Sequence, residues 1–284
     1  MSLMLKLLLS TILLNSLVHA DKLEDKVEDF LQDKISENPN IVDINVDVVD
    51  TIKISELKDW NAYIVKLDLT IKENKKGGDK KATRKINQQT MWFSDGEVIA
   101  RDLTLMSSGE NLSDLVKPSF KDNFYKKENL IYGNSNAKHK VAIFSDPLCP
   151  YCRKFVPKAI NAMKKQPNKF AIYYFHFPLP SIHPAAIDLV KAATAAELKG
   201  HKDVVLNLYK VKVDAREKNV SKILKAFNKT MKTNIKESDL KSAQVMKHYK
   251  SDLKIAEDLM VGGTPTMFFD GQLDKTKRKY EKAL

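Results

Sequence analysis

The sequence predicts a mixed α/β (α+β) protein in two blocks, and three observations carry that reading. Residues 21–110 hold one helical pattern followed by alternating strands. Residues 129–284 mix apolar strand-like runs with several helical patterns. Between them runs a charged, partly helical stretch, 111–128, in which Pro118 interrupts or starts a helix.

The first twenty residues are a separate object. Lys6 supplies positive charge, Leu7 to Val18 is almost wholly apolar, and Val18-His19-Ala20 ends on a small residue. That is the order of a secretory signal. The run is short for a bilayer span, with an uncleaved N-terminal anchor as the alternative. The mature chain is expected to start at Asp21, in a compartment where disulfides form and persist. In a two-membrane envelope that compartment is the periplasm.

In the first block, Leu23, Val27, Phe30, Leu31 and Ile35 have helical spacing, and Asn38-Pro39-Asn40 ends the helix. From Ile41 to Ile54 the chain alternates, with Val42, Ile44, Val46 and Val48 on one face. Tyr63, Val65, Leu67, Leu69 and Ile71 alternate likewise. Gly77-Gly78 marks a turn before a third strand from about Thr83 to Phe93, and Asp95-Gly96 is a hairpin signal. One helix on an antiparallel sheet is a small α+β domain. It has no cysteine and no catalytic cluster, so binding or assembly suits it better than chemistry. Trp60 and Trp92 read as core or interface aromatics.

In the second block, Leu130-Ile131-Tyr132 and Val141 to Phe144 are strand-like, and Arg153 to Lys165 is helical with Phe155, Ile160 and Met163 as its apolar side. Phe170 to Phe177 is a continuous apolar run, the mark of a buried strand. Pro184 to Leu198, Val204 to Val213, Ser221 to Asn228 and Glu237 to Leu259 carry helical patterns. Thr264-Pro265 then leads into Met267-Phe268-Phe269, and Asp270-Gly271 signals a hairpin.

Chemistry concentrates in Cys149-Pro150-Tyr151-Cys152, which holds the only two cysteines of 284 residues. The pair follows a strand and opens a helix, so Cys149 meets the positive end of a helix dipole. The thiolate is the reactive species. Cys149 therefore reads as the exposed nucleophile and Cys152 as the resolving thiol one turn inside. A zinc site would need about four ligands, and the six histidines show no matching spacing. A c-type haem would need His where Arg153 stands. A structural disulfide across so short a ring would constrain the unfolded chain weakly. Redox use is favoured, with no metal and no cofactor. His176 and His183 lie near the second sheet strand and read as structural or surface histidines rather than proton-transfer groups.

The formal charge is +12, and loss of Lys6 with the leader would leave +11. Nucleic acid is a tempting partner for a pI near 9.4. Export removes it, however, and no recognition motif accompanies the charge. A solvated lysine-rich surface is the plainer reading, with weak attraction to acidic substrates or anionic lipid heads left open.

The second block resembles the thioredoxin fold, on the strand, Cys-x-x-Cys and helix order and on Thr264-Pro265, which looks like that fold's cis-proline segment. The helical stretch 184–259 is similar to the insertion of bacterial Dsb proteins. Phe144-Ser145-Asp146-Pro147-Leu148-Cys149-Pro150-Tyr151-Cys152 resembles the active-site segment of the DsbC/DsbG disulfide isomerases, nearer DsbG in its Cys-Pro-Tyr-Cys. Thr264 before Pro265 is that subfamily's choice; DsbA-type oxidases usually have Val there and His in the dipeptide. The resemblance implies a dimerisation domain over 21–110, a linker helix over 111–128 and a catalytic thioredoxin-like domain over 129–284. It implies tuning of the cysteines by Pro150 and Tyr151 and binding of substrate backbone at Thr264 and Pro265. It also implies a homodimer, exported proteins with disulfides as substrates, and a DsbD-type membrane reductase as partner. A DsbA-like net oxidase using the same residues, and a periplasmic holdase, are the competing expectations.

Overall fold

A computed structural model describes residues 22–73 and 83–284. The expected leader and the Gly77-Gly78 turn lie outside the described residues. The chain divides into two units, one ending at Pro118 and the other running from Ser119 to Leu284.

In the first unit, helix α1 (22–36) buries Val27 and Leu31 against an antiparallel sheet. The strands are β1 (Ile41–Lys53), β2 (Asn61–Lys72), β3 (Thr83–Ser94) and β4 (Ile99–Ala100), in that spatial order. Ile44, Val46, Tyr63, Val65 and Leu67 form the facing side of the core. A polar stripe of α1 at four-residue spacing meets β1: Thr51 Oγ1 donates to Glu24, Val48 N to Glu28, and Gln32 Nε2 to the Ile44 carbonyl. The last two occupy backbone groups of an edge strand that would otherwise invite pairing. The alternation expected for β1 is broken at both ends. The register shifts between Ile41 and Asp43 and again between Val48 and Asp50, and Val42 is left 54% exposed. An extra residue in one strand turns the side chains beyond it to the other face. Trp92 is half-buried, donates to Thr90 Oγ1, and carries the Arg101 guanidinium over its ring.

The stretch 111–128 is not a continuous linker helix. Only α2 (Leu112–Leu115) is α-helical, capped by Asn111, whose side chain accepts from Ser113 N. Pro118 follows, and single 3-10 turns occupy Asp122–Phe124 and Lys127–Asn129. Phe120 belongs to the second unit's core, with its ring against Phe124, Tyr125, Phe144, Phe175 and Phe268.

The second unit is built on a five-stranded sheet. Its strands are β5 (Leu130–Tyr132), β6 (His139–Ser145), β7 (Phe170–His176), β8 (Thr266–Phe269) and β9 (Gln272–Leu273), ordered β5-β7-β6-β8-β9. Only β6 and β7 are parallel. The crossover between them contains α3 (Pro150–Met163). Then come α4 (Ala185–Leu198), α5 (Val204–Leu208), α6 (Val220–Met231), α7 (Glu237–Leu240) and α8 (Ala243–Asp258), and α9 (Lys279–Ala283) closes the chain. The helix expected from Glu237 to Leu259 is two, because Ser242 caps a fresh start by accepting from Val245 N. Among the described residues no helix is long and apolar enough to cross a membrane.

Both faces of the central strands are buried, which explains their unbroken apolar runs. Val141, Ile143, Ile172 and Tyr174 pack with Val156, Ile160 and Met163 of α3. Ala142, Phe144, Tyr173 and Phe175 pack on the other side with Phe120, Ile255, Ala256 and Leu259. Gly133 (φ +83°) backs onto the start of β7, where an added Cβ would fall 1.9 Å from the Phe170 carbonyl oxygen. Asp270 and Gly271, both at positive φ, form the two-residue turn joining β8 to β9.

Phe120 lies outside the strands yet fills the centre of one core layer, so Phe120→Ala is expected to lower the stability of the second unit by about 3–5 kcal/mol. Urea unfolding followed by near-ultraviolet dichroism measures it; a loss under about 1 kcal/mol would show that the ring is dispensable.

Candidate redox site

Strand β6 ends at Ser145, and the loop Asp146-Pro147-Leu148 carries the chain to Cys149, the N-cap of α3. Pro150 follows in the first turn, where its missing N–H costs no helical bond. Cys149 and Cys152 are both free thiols. Cys149 is not the exposed thiol that the sequence suggests: it is 6% exposed, and its Sγ donates to the Thr264 carbonyl oxygen, 3.7 Å away, brought over it by the segment before β8. Cys152 is fully buried. Tyr151 stands 78% exposed beside them. The Thr264–Pro265 peptide bond is cis. The six residues singled out from the sequence thus meet in one place: two thiols, the exposed dipeptide between them and the Thr-Pro segment across the cleft.

The two sulfurs differ in environment. Burial pushes the Cys152 thiol up to about 11, against the opposing pull of the Ser145 and Thr264 hydroxyls and the Asp146 backbone; the neighbouring Cys149 adds to the rise. The Thr264 hydroxyl favours the Cys152 thiolate by proximity but makes no hydrogen bond of normal geometry. Beneath Cys152 lies a row of buried hydroxyls. Tyr209 donates to Ser145 Oγ at 2.6 Å, and the Tyr209 and Tyr174 hydroxyls are 2.8 Å apart. Burial holds both tyrosines protonated. The row is therefore neutral, able to hand a proton along but not to hold a charge.

Three further residues shape the cysteine loop. Asp146 is fully buried; Oδ1 accepts from Leu148 N at 2.7 Å, and Oδ2 accepts from Leu179 N at 2.8 Å and meets His183 Nδ1 at 3.0 Å. Arg153 ties the loop to a distant segment, with Nε donating to the Pro147 carbonyl and Nη2 to that of Val211. His183 thus holds Asp146. His176 is buried, and burial lowers it to about 4, so it is neutral at ordinary pH. Its backbone N–H, not its ring, donates to Asp252 Oδ2 at 2.9 Å. Sequence reasoning assigned no role to Ser145, Asp146, Arg153, Tyr174 or Tyr209. Asp146, three residues before Cys149, was the one with a visible signal: a lone carboxylate between an apolar strand and the motif.

The chain belongs to the thioredoxin family, whose model, described as Thioredoxin, matches residues 126–283. The second unit has the expected thioredoxin-like fold with its added helices. A cysteine pair at the head of a helix in this frame is the arrangement of a thiol–disulfide oxidoreductase. Among solved structures, a thioredoxin-like oxidoreductase from Silicibacter pomeroyi DSS-3 is 21% identical, covering 56% of this chain and 92% of that one, with a TM-score of 0.45. ScsC of Proteus mirabilis in a compact conformation is 21% identical, covering 54% of this chain and 74% of that one, with a TM-score of 0.44. Among curated proteins, the Na(+)/H(+) antiporter NhaA 1 of Mycolicibacterium gilvum (strain PYR-GCK) is 24% identical over 144 residues, 50% of this chain and 23% of that protein. This chain therefore spans less than a quarter of that relative's length.

With its thiol at about 11, Cys152 is almost wholly protonated at neutral pH. Its thiolate fraction rises about tenfold per pH unit below that value. Resolution of a mixed disulfide on Cys149 by Cys152 is expected to accelerate in step between about pH 6 and 9. Stopped-flow release of a peptide from that mixed disulfide reads it, and a flat profile would place the ionisation of Cys152 far lower.

Proposed function

We propose that this chain is an exported thiol–disulfide interchange protein of the DsbC/DsbG type, acting as a disulfide isomerase. The observation that carries the reading is the contrast between the two thiols: Cys149 at the helix head against the cleft, and Cys152 buried and held protonated. Cys149 thiolate attacks a wrong disulfide in a substrate; one S–S bond breaks, a mixed disulfide forms, and the substrate keeps the released thiolate. Cys152, as a thiol near 11, resolves that intermediate slowly at neutral pH. The delay leaves time for the freed substrate thiol to attack elsewhere, form the correct disulfide and release Cys149. When no such attack comes, the thiolate fraction of Cys152 attacks Cys149: the Cys149–Cys152 bond forms, the bond from Cys149 to the substrate sulfur breaks, and the departing substrate thiolate takes up the proton that Cys152 gave up. Pro150 and Tyr151 tune the pair, while Thr264 and Pro265 hold substrate backbone in extended form.

Isomerisation needs reduced cysteines, so a membrane reductase of the DsbD type is the partner this reading requires. Lys6, the apolar run after it and Ala20 support an exported, periplasmic setting for exported substrates. The first unit, cysteine-free and without a catalytic cluster, would pair two copies.

The test is recovery of a scrambled multi-disulfide protein in glutathione buffer, with Cys149→Ser as control. Recovery that needs Cys149 is expected. Fast oxidation of a reduced substrate with no recovery from the scrambled one would make the protein a net oxidase, and protection of unfolded chains surviving loss of both cysteines would favour a holdase. Separately, the chain from Asp21 onward is expected to sediment as a dimer at micromolar concentration. A monomer there removes the assembly role.

A further inference from the structure

The cleft beside the cysteines carries a charge pattern that thiol exchange does not require. Tyr151, Lys154, Phe155 and Lys158 stand at i, i+3, i+4 and i+7 of α3, so they share one face. All four line a groove of about 680 Å³. Thr264 and Pro265 form part of its other wall, and the turn before α9 adds Lys277 and Arg278. Among the described residues lining the groove there is no carboxylate. The carboxylates of the adjoining turn are engaged. Asp274 accepts from Thr276 N, Thr276 Oγ1 and Lys279 N, and Glu281 pairs with Arg278 at 2.9 Å. That leaves Lys154, Lys158 and Lys277 as the groove's uncommitted cations among the described residues, the first two exposed.

Resting on the thiol–disulfide reading, we propose that this groove selects substrates whose reacting cysteine lies in an extended acidic segment. The backbone runs past Thr264 and Pro265, and Asp or Glu side chains reach the lysines of α3 across the exposed faces of Tyr151 and Phe155. The spacing suits alternate positions. One helical turn separates Lys154 from Lys158 by about 6 Å along the axis. Side chains two apart on an extended strand project to one side about 7 Å apart. An acid-x-acid pattern therefore places one carboxylate near each ammonium. Such pairs are exposed, individually weak and screened by salt. Their effect is a preference among substrates and not a condition for reaction.

The test uses three peptides with one cysteine each, carried as the mixed disulfide with thionitrobenzoate, and flanked by Glu-x-Glu, Gln-x-Gln or Lys-x-Lys. The reduced protein attacks the peptide sulfur. The Cys149–peptide S–S bond forms, the bond to thionitrobenzoate breaks, and the electron pair leaves on the coloured thionitrobenzoate anion. At low salt the Glu peptide is expected to react about tenfold faster than the Gln peptide and the Lys peptide more slowly, with the spread collapsing at about 0.5 M salt. Lys154→Glu with Lys158→Glu is expected to reverse the order. Lys225→Glu with Lys229→Glu, exposed on α6 outside the groove, changes net charge equally and is expected to keep the order. Equal rates for the three peptides overturn this inference alone, as does an equal loss of preference in both double variants. Absence of Cys149-dependent release from every peptide overturns the thiol–disulfide reading and this one with it.

Discussion

Two parallel neighbours in a sheet cannot be joined by a hairpin, so the chain leaving β6 must cross the sheet before it can return as β7. Here it crosses through α3, and the helix has to begin where β6 stops. That single requirement sets Cys149 at a strand's C-terminal end and at a helix's N-terminal end together. The residue one turn on, Cys152, then points inward against β6 and β7. The opposite edge of β6 takes β8 antiparallel, with Phe144 opposite Thr266. Thr264 and Pro265, just before β8 begins, are thereby brought back beside the end of β6. The 3.7 Å approach of Cys149 to the Thr264 carbonyl, across 115 residues of sequence, is a consequence of sheet register and needs no contact of its own to hold it.

Sealing that sheet on both faces decides the chemistry of the inner thiol. A sulfur with apolar side chains on most sides pays for ionisation, and the groups left to it are hydroxyls rather than charges. The one buried carboxylate close to the motif, Asp146, is spent on the loop, facing two backbone N–H groups and His183. Fold and reactivity are divided between neighbours: Asp146 fixes where Cys149 stands, while Ser145, on the strand itself, faces Cys152.

Local pattern made the core readable. The continuous run of β7, the Cys-x-x-Cys at a strand-to-helix junction and the Asp-Gly turn each depend on a few adjacent residues, and each stands as expected. What pattern could not show depends on distance or on single-residue offsets. The bulges in β1 move Val42 out of an alternation that is otherwise good. Ser242 ends one helical register and starts another inside an apolar period that reads as continuous. Phe120 looks like part of a linker until the sheet it packs on, about fifty residues further along at Phe175, is folded. Tyr209 and Val211 reach Ser145 and Arg153 from beyond α4, and no spacing rule connects them. The six residues of the cleft were legible because they are motif residues. Those that position and insulate them were not, because they are ordinary residues made particular by topology.

The same distinction applies to charge. A formal +12 read from composition describes a lysine-rich surface and a field around the whole molecule, and it discriminates little between substrates. Specificity needs charges in a fixed relation to the reacting atom. Helix α3 supplies that relation because its inward face, Cys152, Val156, Ala159 and Met163, is locked into the core. The helix cannot rotate, so Lys154 and Lys158 stay on the face that lines the groove beside Thr264 and Pro265. Phe155, which the sequence pattern assigns to the apolar side, remains half-buried between core and groove and gives the cleft an apolar floor next to its cations. Turning a generic surface charge into a directional one therefore takes no added element, only the crossover helix whose start the parallel strands had already dictated.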